Sequence, residues 1–217
     1  MIGVLLADDH AAVRAGLRML LDSAEDIEVI GEAADGVEAV ERARTLRPDV
    51  VVMDVRMPRK DGIAAAAELR GVADVLVLTS YGDDQNVFDA LRAGASGFLL
   101  KDVDARTLVE GVRTVARGDG LISPAVTRSL IAEFGRARPA YAPIPVDGQG
   151  LAELTRREGE VLSLIGEGLS NADIAAELGM AEATVKSHVT RLLAKLGLAS
   201  RVQAAIFARE RANGRSH

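Results

Sequence analysis

Five short apolar runs, spaced so that one amphipathic segment fits between each pair, constrain the first half of this chain more than any other feature. The runs are Ile2–Ala7, Ile27–Gly31, Val50–Asp54, Val75–Thr79 and Ser96–Leu100, built mostly from Val, Ile and Leu. Short continuous runs suit strands buried on both faces of a parallel sheet. Parallel neighbours need a crossover, and the intervening segments can supply one. In Ala12–Leu21, for example, Val13, Leu17, Leu20 and Leu21 recur at helical spacing. Asp35-Gly36 and Asp61-Gly62 mark turns ahead of the second and third helices. Asp104 is placed to cap a helix near residues 104–117, which Gly118 and Gly120 end. Five such units predict a doubly wound α/β domain over residues 1–120, with a five-stranded parallel sheet in the order 2-1-3-4-5.

Ser123-Pro124 reads as a cap followed by a first-turn proline, which predicts a short helix to about Phe134. Three of the six prolines fall between Arg138 and Gly150, so residues 121–150 read as a linker, semi-stiff where proline-rich. From residue 151 onward the pattern is helical throughout. Thr155-Arg-Arg-Glu158 is a capping box opening a helix that carries Val161, Leu162, Leu164 and Ile165. Ser170 is placed to cap a helix over about 171–178, which Gly179 stops. The next, from about Glu182 to Leu196, puts Val185, Val189, Leu192, Leu193 and Leu196 on one face. Ser200-Arg-Val-Gln203 opens a last helix to about Arg209. The turn Gly179-Met180-Ala181 makes a helix-turn-helix of the middle pair. Residues 151–210 are thus expected to form an all-α four-helix domain, with 211–217 a flexible tail.

Charge is unevenly shared. The chain carries −6 overall, but residues 151–217 hold 9 basic and 8 acidic residues against 17 and 24 in the remainder. The acidic excess belongs to the first part, so the total does not exclude a nucleic-acid partner for the second. There is no cysteine, which removes disulfides and thiolate metal sites. No apolar run approaches the roughly 18 residues of a membrane span, and the start lacks a basic export signal. A cytoplasmic protein without membrane contact is expected.

Ligands of open α/β sheets bind at the carboxyl ends of the strands. There strand one meets Asp8 and Asp9, strand three ends in Asp54, strand four ends in Thr79, and Lys101 follows strand five. Singly, each has an ordinary explanation: Asp9 a helix cap, Asp54 a solvated strand end, Thr79 a turn cap, Lys101 a surface charge. Five together on one rim need another. Three crowded carboxylates repel one another and call for a cation, and oxygen donors suit Mg²⁺. His10 is beside them, but no second histidine is near. A carboxylate can attack a phosphoryl group to form an acyl phosphate, and Asp54, ending the central strand, is the natural nucleophile. Mg²⁺, Lys101 and Thr79 can neutralise the equatorial oxygens.

At these residues the sequence resembles the receiver domain of response regulators, a flavodoxin-like fold. The match rests on Asp8-Asp9, on Asp54 in Val-Val-Met-Asp-Val-Arg-Met-Pro-Arg-Lys-Asp-Gly, on Thr79 in Val-Leu-Thr-Ser, and on Lys101 in Gly-Phe-Leu-Leu-Lys. The resemblance implies Asp54 as phosphoacceptor, Asp8, Asp9 and Asp54 as the metal site, Thr79 and Lys101 as phosphate sensors, and Phe98 as the switch aromatic. Asp102 stands where many receivers have proline, so a cis proline is absent there.

In the second part, Thr184, Lys186, Ser187, Thr190, Arg191 and Lys195 occupy outward positions of the third helix. Charge alone would make this a solvated face, though hydroxyls and cations can also meet base edges and phosphates in a major groove. Leu-Thr-Arg-Arg-Glu-Gly-Glu-Val-Leu, Gly-Leu-Ser-Asn-Ala-Asp-Ile-Ala-Ala-Glu-Leu-Gly and Thr-Val-Lys-Ser-His-Val resemble the LuxR-type output domain. Receiver plus this domain is the NarL/FixJ-type arrangement. It implies base contacts from Lys186, Ser187 and Thr190, and a last helix that pairs two domains on DNA, with Ser200, Val202 and Ala205 as the candidate dimerisation residues. Ala181 stands where a capping serine or threonine is common, and His188 is expected to pack or touch a phosphate.

The expected function is a two-component response regulator rather than an enzyme, with Mg²⁺-dependent self-phosphorylation and dephosphorylation at Asp54 only. A partner histidine kinase supplies the phosphoryl group, and the protein then forms a homodimer on double-stranded promoter DNA. The alternative is a regulator that keeps the pocket but acts without phosphate. A haloacid-dehalogenase-type phosphatase is disfavoured because its DxD motif is missing.

Overall fold

The computed structural model describes residues 1–79, 89–90, 92–122 and 151–214. The helix expected over 124–134 and the proline-rich linker lie outside these.

The first domain is built from β1 (Ile2–Ala7), α1 (Ala11–Leu21), β2 (Ile27–Ala33), α2 (Gly36–Leu46), β3 (Val50–Asp54), α3 (Gly62–Glu68), β4 (Asp74–Thr79), β5 (Gly97–Leu100), α4 (Ala105–Ala116) and β6 (Leu121–Ile122). All described strand pairs are parallel, and the order is β2-β1-β3-β4-β5-β6. The five strands stand in the expected order 2-1-3-4-5. The addition is β6, which pairs its two residues with Gly97 and Phe98 and covers the outer edge of β5. Leu121 and Ile122, at the start of the expected linker, form too short a run to register as a strand by pattern.

The continuous apolar runs have the burial they imply. Every residue of β3 is buried. Leu5, Val51, Met53, Val75, Val77 and Phe98 face one layer, and Val4, Leu6, Val50, Val52, Leu76 and Leu99 face the other. Alternate residues thus feed two cores, each side chain stabilising the fold by about 1.5–3 kcal/mol. Helix starts follow the local chemistry: Asp35, Asp61 and Asp104 each accept backbone N–H bonds at the head of α2, α3 and α4. Asp9 is not a cap. The N-cap of α1 is His10, with no side-chain bond, leaving Asp9 exposed at the rim.

The second domain is α5 (Arg156–Gly166), α6 (Asn171–Leu178), α7 (Glu182–Leu196) and α8 (Arg201–Gly214). Thr155 and Ser170 close complete capping boxes with Glu158 and Asp173. Ala181 leaves α7 without a side-chain cap. In place of a full box, Gln203 reaches back one residue further, accepting from Ala199 N at 2.8 Å. Residues 211–214 continue α8 rather than belonging to a flexible tail, since no breaker interrupts Ala208-Arg-Glu-Arg-Ala before Asn213-Gly214. A separate core joins Val161, Leu162, Ile165, Ile174, Val185, Val189, Leu192 and Leu196.

The two domains touch. The Asp119 carboxylate accepts from the Asn171 backbone N–H at 2.9 Å, and the Asn171 side-chain amide donates to the Arg117 carbonyl at 2.8 Å. Arg201 donates to Asn171 Oδ1 at 2.6 Å and to the Leu169 carbonyl. Gln203 Nε2 donates to the Arg92 carbonyl at 3.1 Å. Asp119, Asn171 and Arg201 are all buried, so this junction is a satisfied polar network and not a loose surface contact.

Candidate functional site

β1 and β3 are adjacent and end level, which brings Asp8 and Asp54 together at one rim. Lys101, whose backbone N–H is held by the Thr79 carbonyl at 2.9 Å, projects its ammonium between them. Its Nζ lies 2.9 Å from Asp8 Oδ2 and 2.9 Å from Asp54 Oδ2. Asp8 is 1% exposed, Asp54 7% and Thr79 3%. The approach of α3 to Asp54 needs a glycine: a Cβ on Gly62 would stand 2.0 Å from the Asp54 carbonyl oxygen. With no Cβ there, Gly62 N–H reaches the Val55 carbonyl at 2.8 Å and fixes the turn after Asp54.

Electrostatics follow from this crowding. Burial is the larger influence on Asp54 and raises its carboxyl above the ordinary carboxylate value, with Asp8 adding repulsion, while Lys101 works against the rise. Burial pulls the Lys101 ammonium down, but its bonds to Asp8 and Asp54 outweigh that and leave it raised. The pocket therefore holds a firmly charged cation beside a carboxylate under electrostatic pressure.

The ligand atoms of Asp8, Asp9 and His10 converge within 4.8 Å of one another. His10 Nδ1 is 2.7 Å from Asp9 Oδ1, but its ring is largely exposed. Asp54 is joined to Asp8 through Lys101 rather than through that cluster. Carboxylate oxygens gathered at a strand rim, with Asp9 exposed and Asp8 and Asp54 nearly buried, fit a hard divalent ion that takes oxygen donors. The residues present are therefore compatible with Mg²⁺, held by Asp8 and Asp9 with Asp54 alongside.

Phe98 is completely buried, on the sheet face that also carries Val77. Val77 pairs with Phe98 and Thr79 with Leu100, so Thr79 lies diagonally across from the ring on the same face.

On α7, Thr184, Lys186, Ser187, Thr190 and Arg191 are exposed, as the helical spacing predicts. Several are already engaged. Ser187 and Thr190 donate their hydroxyls to the carbonyls of Ala183 and Lys186, both at 3.0 Å. Lys186 Nζ donates to the Ala116 carbonyl at the end of α4, at 2.8 Å. It also borders a cleft of about 430 Å³ at the opposite end of the strands from Asp54, lined by Asp49 and Asp74 among others. Burial raises the Asp74 carboxyl's pKa despite its bond from Ser96 and the nearby Lys186 charge.

Lys195 departs from the expected DNA face. It is half-buried, with Nζ 2.7 Å from Glu158 Oε2 and 3.1 Å from the Glu153 carbonyl. Its position on the flank of α7, against the start of α5, commits its charge within the domain. The dimerisation candidates also sit differently from a free face. Ser200 and Val202 are buried, Val202 against the first domain, and Ala205 packs on the core of its own domain. His188 packs with Nδ1 buried and without a hydrogen-bond partner. Asp119, Asn171 and Arg201 carry no local signal in the sequence, because Asp119 reads as part of a glycine stop and Arg201 as a helix start.

Two family models match this chain. That described as response regulator receiver domain covers residues 4–113, and that described as bacterial regulatory proteins, luxR family, covers residues 152–208. The chain is 41% identical to the DNA-binding transcriptional activator DevR/DosR of Mycobacterium tuberculosis, over 97% of this chain and 95% of that one. It is 39% identical to the transcriptional regulatory protein LnrK of Bacillus subtilis, over 95% and 96%. Among solved structures, the response regulator ChrA of a heme-sensing two-component system aligns with a TM-score of 0.54 at 38% identity, over 97% of this chain and 98% of that one. None of the described helices is long and apolar enough to cross a membrane. With a buried strand-end carboxylate beside a lysine in one domain and a helix-turn-helix in the other, the chain belongs to the two-component response regulators with a receiver domain and a LuxR-type DNA-binding domain, a family of transcription regulators and not of conventional enzymes.

Proposed function

We propose that Asp54 is the phosphoacceptor, supplied by a partner histidine kinase, and that its phosphorylation controls when the output domain can dimerise and reach double-stranded promoter DNA. The observation that carries this reading is Lys101, whose ammonium sits 2.9 Å from both Asp54 and Asp8. It is placed to follow the oxygen of Asp54 that gains a phosphoryl group.

Asp54 attacks phosphorus through one carboxylate oxygen, and the bond to the donor's leaving group breaks in line. Lys101 exchanges part of its contact with the carboxylates for a phosphoryl oxygen, and the Thr79 hydroxyl takes another. Mg²⁺, when bound by Asp8, Asp9 and Asp54, supplies charge neutralisation to the transferring group. The same residues permit slow self-phosphorylation from small donors and slow hydrolysis.

At the other end, Lys186, Ser187 and Thr190 are the residues proposed to approach base edges, with Thr184 and Arg191 on phosphates. Lys186 can do so only after leaving the Ala116 carbonyl, which favours release of the output domain as part of activation. Ser200, Val202 and Ala205 are proposed for pairing of two output domains on adjacent half-sites. A cytoplasmic location follows from the family's partners.

The test is intact mass after incubation with Mg²⁺ and acetyl phosphate, comparing wild type with Asp54→Asn. One phosphoryl group on wild type alone is the expected result. Phosphoryl uptake by Asp54→Asn would move the acceptor elsewhere. DNA affinity that ignores both the substitution and the donor would favour the phosphate-independent alternative.

A further inference from the structure

Asp8 is gripped at each of its oxygens. Lys101 Nζ lies 2.9 Å from Oδ2, the His10 backbone N–H donates to Oδ1 at 2.8 Å, and Arg14 Nη1 donates to the main-chain carbonyl at 2.7 Å. The first two act on the carboxylate. The third acts on the peptide that joins Asp8 to Asp9, because that carbonyl belongs to it. Arg14 is itself anchored. Its Nε lies 3.1 Å from Glu32 Oε2, and Glu32 also accepts from Arg18 Nε at 2.8 Å. Glu32 stands near the end of β2 in register with Leu6, and the Asp8 N–H donates to the neighbouring Ala33 carbonyl at 3.2 Å. The Arg18 bond holds the Glu32 carboxyl below its ordinary value against the effect of burial, and the Arg14 bond adds to it, so Glu32 stays charged. Arg14 lies one turn into α1, its N–H bonded to the His10 carbonyl. A cation there gains nothing from the helix dipole, so its place is set by what its guanidinium reaches.

We infer that Arg14 is a positioning residue for the metal site: anchored on Glu32, it sets the plane of the Asp8–Asp9 peptide and so turns the Asp9 carboxylate toward that of Asp8. A peptide is planar, so a hold on its carbonyl also fixes the direction in which the chain enters Asp9. Asp9 needs such a hold. Its side chain does not cap α1, and its ion-pair partner among the described residues is the largely exposed His10 ring. Yet its ligand oxygen lies within 4.8 Å of that of Asp8. The backbone therefore aims it, and Arg14 fixes that backbone. The charge of Arg14 acts in the other direction, since a guanidinium near the acids repels an incoming cation. The two effects thus differ in sign: loss of a charge tightens metal binding, and loss of an orienting bond weakens it. Bonding a carbonyl and a carboxylate from one planar fork is a task that lysine cannot copy. Partners that orient ligands from outside the ligand set typically control metal affinity by about 10- to 100-fold, which makes the orienting effect the larger. This inference rests on the reading of Asp8 and Asp9 as holders of Mg²⁺.

The experiment uses the full chain without a phosphoryl donor and measures Mg²⁺ affinity by isothermal titration calorimetry in wild type, Arg14→Met, Arg14→Lys and Glu32→Gln. The expected result is a dissociation constant raised about tenfold or more in Arg14→Met. Arg14→Lys, which keeps the charge but not the fork, and Glu32→Gln, which removes the charged anchor, should shift it the same way. With acetyl phosphate added, Arg14→Met should need more Mg²⁺ for half-maximal phosphoryl uptake but approach the wild-type rate at saturation. Circular dichroism matching wild type shows which variants are folded, and Arg14→Lys and Glu32→Gln carry the test if Arg14→Met is not. Unchanged affinity in the folded variants overturns the inference and leaves Arg14 a structural ion pair. Tighter binding in Arg14→Met, or wild-type affinity in Arg14→Lys, overturns it in favour of charge alone. A wild type that binds no Mg²⁺ overturns the metal reading beneath it and the inference with it.

Discussion

The pocket around Asp54 and the outer face of α7 are assembled in opposite ways. The pocket draws Asp8, Asp54, Thr79 and Lys101 from four separate strand ends, and only the sheet brings them together. The α7 face is one continuous helix whose candidates are exposed by spacing alone. A pocket of the first kind has its internal partners in place, with Lys101 between two carboxylates. A face of the second kind keeps its groups occupied until a partner arrives, as Lys186 is by the Ala116 carbonyl. The first depends on the fold, and the second depends on what else is near.

The largest effect that would break this comparison is at Asp54. Asp54→Asn should abolish phosphoryl uptake by intact mass while leaving the far-ultraviolet circular dichroism unchanged. Lys101→Met should also reduce uptake by about 10²-fold or more, the loss typical when one preorganised charge stabilising a transition state is removed. If Lys101→Met takes up phosphate at the wild-type rate, the pocket does not work as a unit.

The next effect separates two lysines that look alike in sequence. Lys195 is bonded to Glu158, which is buried and shares the capping box of α5. Lys195→Met leaves that carboxylate without its cation and should cost about 3 kcal/mol in the output domain, read by urea unfolding. Lys186→Ala should change stability little but weaken DNA binding and lower the salt slope by about one. Equal behaviour of the two would remove the distinction between an internal and a DNA-facing cation.

Glu158 sharpens the point through pH. Burial would raise its carboxyl, but Lys195 and the Thr155 donors outweigh burial and hold it down at about 2, against an ordinary 4.5. A folded-state value below the unfolded one stabilises fully above about pH 4.5 and is lost as pH falls toward 2. The output domain should lose melting temperature across that window, and Glu158→Gln should remove part of the dependence. A melting temperature flat from pH 5 to 2.5 would contradict it.

These contrasts also explain what can be read from the sequence. Strand order, the five rim residues and the helix starts at Asp35, Asp61, Asp104, Thr155 and Ser170 are legible, because each follows from a local pattern or from the rule that strand ends share a rim. β6 is not, because two residues at a domain boundary carry no periodicity. Lys195 is misplaced by pattern alone because helical spacing tells outward from inward but not open water from a neighbouring helix. The role of Val202 is hidden for a related reason: one turn of α8 looks the same whether it packs on its own domain, on the receiver or on a second copy. Asp119, Asn171 and Arg201 meet only when both domains are placed.

The smallest effect lies in the receiver and has the opposite sign to that of Glu158. Asp54 is raised above its ordinary value, chiefly by burial, so its charged form is disfavoured in the folded state. A raised carboxyl costs stability above the unfolded value and ceases to do so once acid has protonated it in both states. Asp54→Asn removes that charge while Lys101 retains Asp8. The receiver should therefore gain stability near pH 7, read as a rise in its melting temperature. The gain should shrink as pH falls through the carboxylate range. A single substitution would then silence the pocket chemically and relax it mechanically, as expected if the fold holds Asp54 against its own electrostatic preference. If Asp54→Asn instead lowers the melting temperature at neutral pH, the Lys101 bridge outweighs the crowding, and the pocket is held together by its charges rather than in spite of them.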